Sequence, residues 1–97
     1  MDYIQVMEAT TSDPEAMFAA EKEWFAATEG KRTVRRSIVT RDRNNPDRHM
    51  IIVFFDSYES AMANSELPET QAFAAKMAAT LDAPMVFHDL DVVQDRS

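Results

Sequence analysis

The chain has 97 residues, no cysteine and a net charge of −7 at neutral pH. Its length predicts a single domain over residues 1–97, and the lack of cysteine excludes disulfides and thiolate metal sites. No apolar run approaches the ~20 residues that cross a bilayer, and the N-terminus lacks the basic and then apolar pattern of a signal peptide. We therefore expect a cytoplasmic protein that does not contact a membrane.

The charge is unevenly distributed along the chain. Residues 31–48 hold seven basic and two acidic side chains, or +5, and the rest holds three basic and fifteen acidic side chains, or −12. A basic segment can indicate nucleic-acid binding. We favour a solvated strand and hairpin, because an overall negative charge opposes the counterion release that drives nucleic-acid binding. No nucleic-acid partner is therefore expected.

The N-terminal third predicts a strand and then an amphipathic helix. Residues 3–9 are predicted to form a strand with Ile4 and Val6 on one face and Tyr3, Gln5 and Met7 on the other. Asp13 and Pro14 suit the cap and first position of a helix, and Gly30, the only glycine, suits its left-handed terminator after Glu29. The helical spacing of apolar residues predicts a buried stripe of Met17, Phe18, Ala20, Trp24, Phe25 and Ala27.

A hairpin of two strands is predicted next. Residues 31–42 are highly charged, which is typical of an edge strand. Residues 44–47 form the expected turn. Residues 50–55 are apolar without a break, so they predict a central strand with both faces covered. Three residues of the charged strand are expected to share one face: Val34, Arg36 and Ile38.

The remaining residues predict a broken helix and a final strand. Ser57 suits a helix cap, Pro68 predicts a break near residues 64–67 and a restart, and residues 85–93 form the last strand. This order is the ferredoxin-like βαββαβ arrangement of the α+β class, with a four-stranded antiparallel sheet, helices on one face, and the first and third strands central. The other apolar face of the third strand needs a partner, and the same face of a second copy could supply it.

Two segments resemble a known superfamily. Residues 55–63, which lead from the apolar strand into the second helix, and the broken helix over residues 64–77 are similar to the dimeric α/β-barrel superfamily, in particular its antibiotic-biosynthesis-monooxygenase-like members. The resemblance implies a homodimer with sheets face to face and a cavity in each half. Some relatives oxygenate aromatic polyketides or quinols without metal or flavin, so no cofactor is expected. Others degrade haem with an Asn, Trp and His set that has no counterpart here, because Trp24 lies on the first helix.

Two residues are candidates for catalysis. His88 lies among apolar residues of the last strand and could carry a proton in a cavity; the alternative is a satisfied core or interface histidine. Arg36 could hold an anionic or phenolate ligand through its fork of donors; the alternative is a salt bridge on the surface or between subunits.

Two further residues are candidates for ligand binding. His49 is expected to be exposed at the mouth of the hairpin. Tyr58, in the first turn of the second helix, could donate a hydrogen bond to a ligand, although a packing role would also explain it. The two histidines are far apart and no His and carboxylate cluster has metal-site spacing, so no metal site is predicted.

These observations lead to two hypotheses. The first is a cofactor-independent monooxygenase-like enzyme for a small aromatic, phenolic or quinone-like compound, bound between sheet and helices or between two sheets. It requires His88 and Arg36 to face a closed cavity of several hundred Å3. The alternative is a non-catalytic dimeric module that binds a small ligand or a partner. RNA binding is disfavoured, because the third strand lacks the glycine-containing basic motif of RNA-binding ferredoxin-like modules.

Overall fold

The computed structural model describes residues 2–97 and confirms the ferredoxin-like arrangement. The sheet is antiparallel throughout, with the strand order β2-β3-β1-β4. The first and third strands are therefore central, as predicted. In chain order the elements are β1 (Tyr3–Thr10), α1 (Pro14–Ala27), β2 (Arg36–Asp42), β3 (Asn45–Phe55), α2 (Tyr58–Glu66), α3 (Pro68–Thr80) and β4 (Val86–Asp91).

The helices begin where the sequence predicts. The Asp13 carboxylate accepts a hydrogen bond from the Ala16 amide at the start of α1, and the Ser57 hydroxyl accepts one from the Ser60 amide at the start of α2. Such side chains satisfy backbone N–H groups that have no partner within the helix. Pro68 opens α3 after the extended residue Leu67, so the predicted break of the second helix is confirmed.

The helix α1 ends two residues before the predicted position, and the strand β2 begins five residues after the predicted start. The helix α1 ends at Ala27, and Gly30 lies in the following turn with a φ of 78°. The strand β2 begins at Arg36 instead of Lys31, because the Arg32 amide donates to the Thr28 carbonyl and keeps the chain in a turn.

Two other predictions near the hairpin also change. Val34 leaves the face of Ile38 and packs against the core, since it precedes the first residue of β2. The strand β3 begins at Asn45 and takes in three of the predicted turn residues. The final strand is shorter than predicted and covers only Val86–Asp91.

The core lies between the helices and one face of the sheet. Alternate residues of β3 are buried there, and they meet buried side chains of β1, α1 and α3. The predicted stripe of α1 is only partly correct, because Phe18 is 39% exposed and Phe25 is 52% exposed. The helix buries a narrower stripe of residues spaced by three and four positions: Met17, Ala20 and Trp24.

The other face of the sheet carries apolar residues that no helix covers. The register places Ile52 between Val6 and Ile38, and it places Phe54 between Ile4 and Arg36. The intervening residues of β3 are buried on the helix side, whereas Ile52 and Phe54 are only half-buried. We call this surface the open face. In residues 2–97, no helix has both the length and the apolar character needed to cross a membrane.

Candidate functional site

A cavity of about 800 Å3 lies between the helix-facing side of the sheet and all three helices. This size is within the range of small-molecule sites, which are mostly apolar with a few polar groups. All four strands and all three helices contribute residues to the lining of this cavity. Its apolar walls include Met7, Ile51, Val53, Phe55, Phe73 and Met77. We call it the helix-side cavity.

One wall of the helix-side cavity carries a buried amide. Asn64 on α2 is only 6% exposed, and its side-chain carbonyl oxygen has no hydrogen-bond partner within residues 2–97. A buried acceptor without a donor costs about 1–3 kcal/mol. A ligand that places a hydroxyl or an N–H group at this position would recover that free energy.

An aromatic pair forms another part of the wall. Trp24 on α1 is buried, and its indole N–H donates to the Thr70 hydroxyl on α3 at 3.0 Å. The Trp24 ring also packs on Phe73, with ring centroids 5.5 Å apart. Because both contacts join α1 to α3, they hold two flat aromatic surfaces at fixed positions beside the cavity. Trp24 is a core residue, as predicted, and it also lines the cavity.

The charged residues that line the helix-side cavity are acidic. Glu21 lies on α1, and Asp82 lies in the segment between α3 and β4. Gln5 of β1 also lines the cavity, and its amide N–H donates to the Asp89 carboxylate of β4 at 3.3 Å. No lysine, arginine or histidine is among the lining residues in the described part of the chain. That part also contains no group of three or more His, Asp or Glu side chains placed to hold a metal ion.

The sequence matches no protein-family model, and no curated protein is significantly similar to it. Solved structures, however, are similar in fold over nearly the whole chain. SnoaB, a cofactor-independent oxygenase from Streptomyces nogalater, superposes with a TM-score of 0.82 at 13% identity, over 97% of this chain and 95% of that one.

Two further structures are described as candidate antibiotic biosynthesis monooxygenases. The protein from Chloroflexus aurantiacus has a TM-score of 0.76 at 21% identity, over 100% of this chain and 98% of that one. The protein from Nitrosomonas europaea has a TM-score of 0.80 at 14% identity, over 95% and 90%. The chain has the fold of antibiotic biosynthesis monooxygenase domains. At these identities the roles of residues must be argued from this chain itself.

In this monooxygenase-like fold, both predicted catalytic residues lie on the open face. His88 on β4 pairs with Val6, and its Nε2 is 2.6 Å from a carboxylate oxygen of Glu8. Arg48 also pairs with Glu8, and the hydrogen bonds from His88 and Arg48 lower the pKa of Glu8. Both contacts are exposed enough to be weak individually.

Arg36 lies on the opposite edge of the sheet. Its guanidinium carbon is 5.8 Å from the centre of the Phe54 ring. Two central strands separate it from His88, and Arg36 is also two residues along β2 from Ile38, the residue in register with His88. This corresponds to about 16 Å at the usual strand spacing and rise. Neither residue lines the helix-side cavity of the monooxygenase-like fold. Their catalytic role therefore stays a prediction for a space formed on the open face.

The predicted ligand-binding residues occupy different positions. The prediction that His49 is exposed was wrong: it is 1% exposed and its ring meets Phe18 edge-on at 6.0 Å. The reason is that β3 extends beyond His49, which joins the buried, helix-facing residues of that strand. Tyr58 is 54% exposed and packs edge-on against Tyr3 at 5.6 Å. Neither residue lines the helix-side cavity, and ligand binding by them stays a prediction.

Sequence reasoning missed Asn64 and the acidic pair of Glu21 and Asp82. A signal for Asn64 was present, because it is three residues after the buried Ala61 and so falls on the buried side of α2. A polar residue at such a position requires a partner. No comparable signal identified Glu21 and Asp82, which are far apart in the sequence and line the same cavity only because of the tertiary fold.

Proposed function

We propose that the protein is a cofactor-independent oxygenase that acts on a small aromatic, phenolic or quinone-like compound in the helix-side cavity. The observation that carries this proposal is an apolar cavity of about 800 Å3 with one buried amide acceptor that lacks a partner. The fold similarity to SnoaB supports it, because that protein is a cofactor-independent oxygenase.

The chemistry requires the protein mainly to bind the substrate in an apolar environment. A lining carboxylate, Glu21 or Asp82, accepts a proton from the substrate, so the negative charge moves from the carboxylate to the substrate and the cavity gains no net charge. The electron-rich substrate can then transfer an electron to O2 and form a C–O bond as a peroxide. Loss of water from the peroxide converts a CH2 group into a carbonyl, with one oxygen atom in the product and the other in water. The mostly apolar walls surround a bound ring with apolar side chains, Trp24 and Phe73 offer flat surfaces to an aromatic ring, and Asn64 orients a substrate hydroxyl.

Oxygen consumption tests this function directly. Purified protein is incubated with a panel of phenols and quinols, and oxygen uptake and product mass are followed. With a substrate that is turned over, Asn64→Ala should lower kcat/KM by about 5- to 150-fold, since a buried substrate donor left without its acceptor costs about 1–3 kcal/mol. The exposed Asn44 provides the matched control, Asn44→Ala, which should leave the rate unchanged. Equal rates for the two variants would contradict the role of Asn64.

The non-catalytic binding module remains the second candidate. It is favoured by the lack of any histidine, lysine or tyrosine among the cavity-lining residues in the described chain, which leaves only carboxylates as proton acceptors there. An aromatic ligand that raises the melting temperature without oxygen uptake across the panel would support the binding module over the oxygenase.

We also propose that two copies pair through their open faces. Apolar side chains on three adjacent strands form a continuous row there, from Val6 through Ile52 to Ile38, and burial of such a surface favours association. In such a homodimer, His88 and Arg36 would lie between the two sheets. A catalytic role for them would therefore depend on the second copy.

A further inference from the structure

We infer that the helix-side cavity selects uncharged aromatic compounds that carry a hydroxyl or amino group, and that it rejects aromatic carboxylates. Glu21 and Asp82 are the residues that determine this specificity. The inference rests on the proposed function, because it concerns the ligand of the same cavity, and it narrows the substrate class to neutral hydrogen-bond donors.

The first support is the charge of the lining. Glu21 and Asp82 contribute two carboxylates, and no cationic side chain lines the cavity within residues 2–97. Neighbouring lysines on the helical side are engaged elsewhere. Lys76 pairs with Glu23, and Lys31 pairs with Glu69 at 3.3 Å. Neither lysine lines the cavity, so no cation of the lining offsets the two carboxylates. Glu21 is half-buried, whereas Asp82 is exposed and its carboxylate accepts a hydrogen bond from the Ser12 hydroxyl at 3.4 Å, so solvent weakens its share of the repulsion.

The second support comes from the sheet side. Gln5 lines the cavity and uses its amide N–H to hold the Asp89 carboxylate, so a third negative charge lies beside the lining. Tyr3, on the same side of β1, experiences this environment. Burial raises the pKa of Tyr3 to about 12, and the nearby Asp89 carboxylate adds to the effect. The larger part of this shift comes from burial of Tyr3, which does not itself line the cavity; the smaller part shows that the Asp89 carboxylate disfavours an anion on this side of the sheet.

The third support is the unpaired oxygen of Asn64. It is a hydrogen-bond acceptor in a buried position. A ligand hydroxyl or amine can donate to it, whereas an ionised carboxylate has only acceptors. Glu21 and Asp82 also act as acceptors when ionised. The lining also offers donors, such as the Ser37 hydroxyl and the Gln71 amide, so the case against a carboxylate rests on the unmatched Asn64 acceptor and on the negative charge of Glu21 and Asp82.

Paired ligands with the same ring system test this specificity without turnover. At pH 7, 2-naphthol is neutral and 2-naphthoate is an anion, and isothermal titration gives the affinity of each. The wild-type protein should bind naphthoate at least about 10-fold more weakly, a ratio that corresponds to about 1.4 kcal/mol. The double variant Glu21→Gln with Asp82→Asn should reduce that ratio several-fold, mainly by improving the binding of naphthoate.

A second double variant controls for net charge. Glu29 and Asp95 are exposed and lie outside the lining, so Glu29→Gln with Asp95→Asn changes the charge of the chain equally but should leave the ratio unchanged. Equal wild-type affinity for both ligands, or the same ratio of the two affinities in both double variants, would contradict the charge selectivity. The proposed aromatic binding site would not be affected by either result. If neither ligand binds, the aromatic site itself is wrong, and both this inference and the proposed function fail.

Discussion

Replacement of Ile52 by glutamate should separate the two copies of the proposed homodimer. Ile52 lies at the centre of the open face, between Val6 and Ile38, and is half-buried in the single chain. Complete burial of an isoleucine side chain contributes about 1.5–3 kcal/mol. Because Ile52 is already half-buried in the single chain, its burial in the interface would add roughly half of that free energy per copy. A two-fold dimer contains the residue twice, which gives a loss of about 1.5–3 kcal/mol, before the added cost of burying a carboxylate.

This loss corresponds to an increase in the dimer dissociation constant of at least about 10- to 100-fold. Sedimentation velocity over a series of concentrations measures the constant. Because Ile52 points away from the helices, the single chain should keep its fold, and circular dichroism verifies this. Val93→Glu adds the same charge at an exposed residue after β4, and this control should dimerise like the wild type.

Two results would refute the proposed pairing. One is a wild-type protein that sediments as a single chain at concentrations well above the micromolar range. The other is a dimer whose dissociation constant is the same for Ile52→Glu and Val93→Glu, since that dimer would use another surface.

Three other predictions follow from the core and from the pKa shifts. Met77 is fully buried, so Met77→Ala should lower the free energy of unfolding by about 2–5 kcal/mol in urea denaturation. In the Tyr58→Phe variant only Tyr3 gives a phenolate absorbance, and its midpoint should lie well above pH 10, because burial and Asp89, the main causes of the shift, remain. In the wild type the pKa of Tyr3 is raised from 10.0 to about 12, so the contribution of neutral Tyr3 to stability is complete below pH 10 and is lost as the pH rises through about 12. The pKa of Glu8 is lowered below 4.5, so ionised Glu8 stabilises the folded protein above pH 4.5, and this contribution is lost as the pH falls. The free energy of unfolding of the Glu8→Gln variant should therefore depend less on pH in this acid range.

Local patterns were sufficient for the order and the type of the elements. The apolar run of β3 predicted a central strand, and the charged residues before it predicted an edge strand, because edge strands need charge to prevent unwanted pairing. Pro68 predicted the break between α2 and α3, because proline lacks the N–H group that a continuous helix requires. Each of these features depends only on residues that are close together in the sequence, so it can be predicted without the tertiary structure.

The candidate site depended on contacts that local patterns do not contain. The sequence alone determined that β3 has two apolar faces, but only the tertiary structure decided which face the helices cover. As a result, His49 lies in the core, whereas His88 and Arg36 lie on the open face. The helix-side cavity depends on distant contacts such as that between Trp24 and Thr70. Periodicity specifies which way a side chain points, whereas the space between elements is set by how whole helices pack on the sheet.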